Sequence, residues 1–241
     1  MVVAWLPFVT TAQYTTYGKI SYERKTNAHQ LMDDMADDDD DNSWIASRKA
    51  QTPKFSTAYF DYFFTPQNSL YKPGKESDNK YKGWGAPPAA DNIVFTDFLQ
   101  TQVTATKQVY EESFLVKDSI RKLEWKIGDE IRTIANFKCR KAITKMYDSV
   151  VVVAFYTDDI PVSGGPEMFG GLPGAILQLV IPRLHTTWIA TQVEGTLPNT
   201  SDIKEPNKGK QVTQEALYNS LNKTVSKWGK WGQRSIWWSM L

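Results

Sequence analysis

Apolar or β-branched residues alternate with polar ones along most of the chain. The pattern recurs at Ile20–Glu23, Tyr59–Phe64, Thr104–Glu111, Leu123–Ile127, Ile131–Ala135, Phe137–Ile143, Val150–Tyr156, Ala175–Ile181 and Thr187–Val193. A period of two places successive side chains on opposite faces, the signature of a strand with one buried face. Gly128-Asp129 and Asn136 separate closely spaced runs, and such short connections predict antiparallel neighbours, because a parallel crossover needs a dozen or more residues. The expected fold is mainly β (α+β): a single domain built on a long curved antiparallel sheet or half-barrel, with a C-terminal helix. That helix is predicted near 212–228, where Leu217, Leu221 and Val225 recur at intervals of four behind Thr213 as N-cap. A second, short helix is predicted over His29–Met35 from the capping pair Thr26-Asn27. Segments Gly74–Asp91 and Asn199–Lys210 read as exposed loops.

Composition adds constraints. The 241 residues are 41% hydrophobic and 13% aromatic, enough for a substantial core. The net charge of +1 hides an asymmetry, since seven aspartates crowd into the acidic loop 33–41 and leave a mildly basic remainder. Consecutive carboxylates without a glycine turn or a distant glutamate do not match an EF-hand loop and suit solvent better. No basic stripe with interleaved aromatics and no nucleic-acid-binding signature precedes the last residues, so no nucleic acid is expected as a partner. Residues 1–12 are an apolar run ending in small residues. They resemble the back half of a secretory signal peptide, a remnant lacking its positive region, or else form a buried N-terminal strand. The remaining 13–241 are expected to form the single β-rich domain. No later stretch approaches the roughly 20 apolar residues of a transmembrane span. Cys139 is the one cysteine, which leaves no intrachain disulfide. It reads as a small buried hydrophobe on a strand.

Residues 164–177, Gly-Gly-Pro-Glu-Met-Phe-Gly-Gly-Leu-Pro-Gly-Ala-Ile-Leu, stand apart from these strands. Glycine permits positive φ and close approach, and proline fixes φ, so the segment reads as a rigid, specified loop entering the strand Ala175–Ile181. Gly165, Pro166, Met168, Phe169, Gly170, Gly171, Leu172, Pro173, Gly174 and Ile176 are the candidate motif or binding residues. Met168, Phe169, Leu172 and Ile176 would supply apolar contacts, while the glycines and Pro173 set the path. Catalytic order is missing: His29 and His185 are the only histidines, His185 falls at a hairpin turn, and no serine sits in a Gly-x-Ser-x-Gly elbow. Cys139 and His185 are weak candidates for a metal site, and their spacing matches no compact ligand motif. No cofactor motif is present. The tail places Trp228, Trp231, Trp237 and Trp238 among bases. Such a pattern serves membrane interfaces, glycan stacking or a partner pocket, or else packs over the core. Its two glycines argue against a stable helix there.

Taken in order, Ile20–Asn27, Leu70-Tyr71, Phe114–Asp118, Trp125-Lys-Ile127, Ile134–Ala142, Phe155–Val162, Gly165-Pro166 and Gly171–Leu177 resemble the GLPGLI family of exported bacterial envelope proteins. This chain departs from that pattern at Ala175, Phe155 and Asn136, where leucine, tryptophan and glycine are usual. The resemblance implies export, to the periplasm, the outer membrane or the medium, and carries no established activity or ligand residues. Together with the rigid loop and the aromatic surplus it leads to the expectation of a non-enzymatic binding or interaction protein. Its partner would be an apolar ligand or an outer-membrane or periplasmic protein. Two alternatives stay open. One is a hydrolase with a non-contiguous site, which a cleft gathering Asp129, Glu130, Arg140, Lys141 and Tyr156 would favour. The other is an envelope metal-handling protein.

Overall fold

A computed structural model describes residues 14–34, 43–74, 89–147, 149–199 and 201–241. The signal-like segment 1–12, all of the acidic run beyond Asp34 and most of the 74–91 loop lie outside these residues. The described residues form one twelve-stranded sheet and four α-helices. Strands β1 (Gly18–Asn27), β2 (Phe55–Phe64), β3 (Asn68–Pro73), β4 (Ile93–Asp97), β5 (Gln102–Val109) and β6 (Glu112–Ser119) form one antiparallel meander. Strands β7 (Lys126–Ile134), β8 (Phe137–Met146), β9 (Val150–Thr157), β10 (Ala175–Ile181) and β11 (Thr186–Glu194) form a second. The two are joined where β11 pairs antiparallel with β1. The short β12 (Lys210–Val212) adds in parallel beside β6, so the order is β12-β6-β5-β4-β3-β2-β1-β11-β10-β9-β8-β7.

This order forces curvature. Strands β6 and β7 lie ten positions apart, which in a flat sheet of ~4.8 Å spacing would separate them by roughly 48 Å. Yet only residues 120–125 join Ser119 to Lys126, and at ~3.5 Å per residue that strap spans at most about 25 Å. The sheet therefore curls until its far edges approach one another, and the strap closes the gap. Inward-facing positions such as Ile20, Tyr22, Phe60, Tyr62, Tyr71, Val103, Ala105, Leu179 and Trp188 line one continuous apolar core.

The expected hairpin turn at Asn136 holds without glycine: Ala135 and Asn136 take φ 47° and 70°, and asparagine tolerates the left-handed region better than most residues. The early helix, α1 (Ala28–Asp33), is capped by the Asn27 side chain, which accepts from the Gln30 backbone N. It is followed by α2 (Ser43–Gln51), which the pattern did not predict.

Two expectations are corrected. The run Leu123–Ile127 is a strand only from Lys126, because residues 120–125 are drawn across the open side of the sheet. The C-terminal helix is not one segment over 212–228 but α3 (Gln214–Val225), a 3-10 turn and then α4 (Gly229–Ser239). The tail glycines, read as helix breakers, permit the corner. Gly229 takes φ 59°, and a Cβ at Gly232 would collide with the Val225 carbonyl oxygen. The apolar face of α4 then buries Ile236, Trp237 and Trp238 in the core. In α3, Thr213 Oγ1 accepts from Ala216 N and Leu217, Leu221 and Val225 are buried, as the spacing required.

Candidate functional site

The Gly/Pro-rich segment belongs to the connection between β9 and β10, and it folds over the mouth of the curled sheet. Close backbone bonds shape it: Val162 N to Ile160 O (2.8 Å), Gly164 N to Val162 O (2.9 Å) and Phe169 N to Pro166 O (3.3 Å). Ile176 N donates to Gly164 O, and the Tyr22 hydroxyl to Ile176 O at 2.6 Å, which ties the loop to β1. A Cβ at Gly164 would strike the Tyr62 hydroxyl, and one at Gly174 the Thr157 carbonyl, so these positions admit no side chain without rearrangement. Pro166, Phe169, Leu172 and Ile176 are buried, as are Gly165, Gly170 and Gly174; Met168 is half-buried, and Gly171 and Pro173 are exposed. Three of the four apolar side chains expected to contact a ligand thus pack into the protein's own core.

The inner face of this loop carries an acid that the sequence reading passed over. Glu167 is only 3% exposed and takes φ 57°. A left-handed backbone at a non-glycine residue costs about 1 kcal/mol and persists only where its surroundings hold it. They do so here. Glu167 Oε2 accepts from Asn92 Nδ2 at 2.7 Å and Oε1 from the Tyr71 hydroxyl at 3.2 Å, while Arg24 Nη1 lies 4.0 Å from Oε1. Trp188 Nε1 donates to the Tyr71 oxygen at 3.1 Å, and Arg24 donates to the Ala89 carbonyl at 2.8 Å. The Arg24 guanidinium also lies over the rings of Phe60, Trp238 and Trp188 at 4.9, 5.6 and 6.0 Å.

Lys107, from the inner face of β5, is 1% exposed, and its ammonium has no hydrogen-bond partner among the described residues. Burial pulls Lys107 down to about 8, with Glu167 opposing the shift. Burial likewise raises Glu167, against the pull of Lys107 and Arg24, and lowers Arg24. The cluster is thus a buried network of charges balancing one another, and it ties the loop to β1, to β3 and to Asn92 just before β4. A cavity of about 20 Å³, room for roughly one water, lies beside it and is lined in part by Tyr62, Ser69, Thr96 and Glu167. The sequence held a signal for this network: Glu167 is the only charged residue between Asp159 and Arg183.

The outer face of the loop is open. With the strap it bounds a cleft of about 930 Å³, whose apolar wall includes Pro66, Phe98, Ile120, Leu123, Pro161 and Val162. The strap is fixed at both ends, since Ile120 N donates to Thr101 O and Trp125 Nε1 donates to Gly170 O, both at 2.9 Å. Gly171 N donates to Ser163 Oγ at 2.9 Å on the opposite wall. Arg121 and Lys122 supply the cleft's charge, and no carboxylate, imidazole or thiol belongs to its described lining. Arg121 is held by Gln214 Oε1 (2.6 Å from Nη2 and 3.1 Å from Nε), the Met240 carbonyl (3.2 Å), the Tyr147 hydroxyl (3.4 Å) and Met146 Sδ (3.6 Å).

The other candidates are dispersed. Cys139 is buried in β8, where desolvation pushes its thiol up to about 12, and Sγ donates to Phe137 O. His185, in the β10–β11 turn at φ 46°, bonds Asp34 Oδ2 through Nε2 at 2.8 Å, and Arg234 shares that carboxylate at 2.6 Å. No group of three metal-ligating side chains forms among the described residues. Glu130 pairs with Lys141 (2.6 Å) and Arg132 (2.7 Å) on the edge hairpin β7–β8, Tyr156 is buried, and none of these residues lines the cleft between strap and loop. The tail tryptophans divide. Trp237 and Trp238 are core residues, while Trp228 and Trp231 stay partly exposed against Tyr110, with ring centroids 5.2 to 6.2 Å apart.

A family model described as a protein of unknown function (Porph_ging) matches residues 144–178, which run from the end of β8 through the loop into β10. No curated protein matches the chain. Among solved structures, the chain is similar to PNGF-II in two crystal forms. The C2 form gives TM-score 0.53 at 16% identity over 92% of this chain, and the P21 form 0.54 at 17% over 82%. In both, the match covers 32% of the PNGF-II chain, so the likeness concerns the fold of about a third of that protein. An uncharacterised conserved protein from Thermus thermophilus aligns at TM-score 0.41 and 6% identity, over 83% of this chain and 91% of its own. No helix among the described residues is long and apolar enough to cross a membrane.

Proposed function

We propose that this chain is a non-enzymatic binding protein of GLPGLI type, exported to the bacterial envelope, that holds an apolar ligand or partner segment between the strap and the outer face of the Gly/Pro-rich loop. The observation that carries this reading is the 930 Å³ cleft itself, with an apolar wall between the hydrogen-bonded strap and loop. Its size falls within the usual range of small-molecule sites. Its described lining supplies hydroxyls and cations but no carboxylate, imidazole or thiol. The one buried carboxylate of the loop faces inward, fully engaged with Asn92, Tyr71 and Arg24. Export rests on the signal-like residues 1–12 and the motif resemblance.

Titration with the neutral fluorophore N-phenyl-1-naphthylamine tests the cleft. Saturable fluorescence enhancement is expected with the folded protein and should be lost in Leu123→Asp, which places a charge on the half-buried apolar wall. Circular dichroism verifies that the variant folds. Absence of enhancement in the native protein, or equal enhancement in the folded variant, would refute the assignment.

A further inference from the structure

The cleft contains a charge imbalance that its apolar wall does not explain. Arg121 is half-buried, and every acceptor around it is neutral: an amide oxygen, a carbonyl, a phenol and a thioether. Lys122 follows it on the exposed rim. Among the described residues neither cation has a carboxylate within ion-pairing distance, although Arg121 also borders the small cavity that Glu167 lines. Some half-buried cations elsewhere are matched, as in Lys141 with Glu130, Arg234 with Asp34 and Lys19 with Glu194. A half-buried guanidinium without a counter-charge attracts an anion more strongly than a solvated one does, because the surrounding dielectric is lower. Arg121 is also rigid, held by groups from β8, α3 and the chain end, so little side-chain entropy is lost when it binds.

The rest of the lining defines the body of the ligand. Phe98, Ile120, Leu123 and Val162 lie in the same cleft as the two cations, joining an anionic subsite to an apolar one. We infer that the cleft takes a single-chain amphiphile with a carboxylate head, a fatty acid, whose head meets Arg121 and Lys122 while its chain lies along the apolar wall. This inference rests on the cleft reading above and adds the head-group chemistry. Lys122 adds a second, mobile positive charge at the mouth.

The experiment compares decanoate with 1-decanol, which share the alkyl chain and differ in head charge, by calorimetric titration of the native protein, Lys122→Glu and Leu123→Asp. Decanoate should bind roughly tenfold more tightly than decanol, the scale of one charge-assisted hydrogen bond. Lys122→Glu should weaken decanoate by a similar factor and leave decanol unchanged, and Leu123→Asp should weaken both. Equal affinity for the two probes overturns the head-group inference and leaves the cleft standing. Decanoate binding that neither variant alters places the ligand elsewhere and overturns both. Failure of both probes, while the neutral fluorophore still binds, overturns the fatty-acid inference alone.

Discussion

Two sets of cations flank the same loop, and they are treated in opposite ways. On its inner side Arg24 and Lys107 are sealed in the core and balanced by Glu167, which the loop itself supplies. On its outer side Lys122 faces an open cleft with no acid in its described lining, and Arg121 stands at the boundary, lining both that cleft and the small cavity beside Glu167. Buried charge that is matched holds structure in place, and removing one partner leaves the others stranded at high cost. Charge left unmatched at a half-open surface contributes little to folding and is available to a ligand. The loop thereby divides the molecule into a structural side and a binding side.

Substitutions should reproduce that division. The largest effect is expected from Gly174→Val, whose side chain would be driven into the Thr157 backbone; the cost should exceed ~3 kcal/mol, seen as loss of the cooperative melt by circular dichroism. Next comes Glu167→Ala, expected to cost about 3–5 kcal/mol in urea unfolding because it removes the buried carboxylate that faces Arg24 and Lys107. A loss below ~1 kcal/mol would show that the inner cluster does not hold the loop. Trp125→Phe, which removes the donor to Gly170 O, should cost about 1 kcal/mol.

Lys107 gives the inner side a pH signature. Its folded value near 8 lies below the ordinary 10.5, so between these values the unfolded chain binds more protons and stability rises with pH. Below about 8 both states are protonated and the cost of burying the cation is fully present. Subtracting the profile of Lys107→Met from that of the native protein should isolate this rise, and identical slopes from about pH 8 to 10 would argue against a buried, shifted amine. The smallest effect belongs to the outer side: Lys122→Ala should change stability by less than ~0.5 kcal/mol.

Much of this was legible in the residues. The period of two located β1, β2, β5 and β8 to β11 and made the sheet antiparallel, and the inward positions of Arg24 and Lys107 follow from it. Arg24 shares a face with Ile20 and Tyr22, and Lys107 with Val103, Ala105 and Val109, so a charge in each apolar row was visible before any fold was known. Glu167 could have been found by the same logic as the lone charge in a long neutral run. The strap was not legible, because Leu123, Trp125 and Ile127 alternate like a strand. What removes 120–125 from the sheet is the distance they must bridge, a property of the whole topology. The tail helix was hidden for a related reason. Gly229 and Gly232 disfavour an isolated helix, and only the packing of Ile236, Trp237 and Trp238 against the core offsets that penalty. The cleft, assembled from four separate stretches of chain, has no local signal at all.

Hydrogen exchange followed by mass spectrometry, with and without decanoate, tests the division of the loop most directly. The expected result is protection concentrated in residues 119–125 and 161–171, with the strands carrying Arg24, Tyr71 and Lys107 unchanged. Protection centred on those inner strands, or none in the strap, would contradict it.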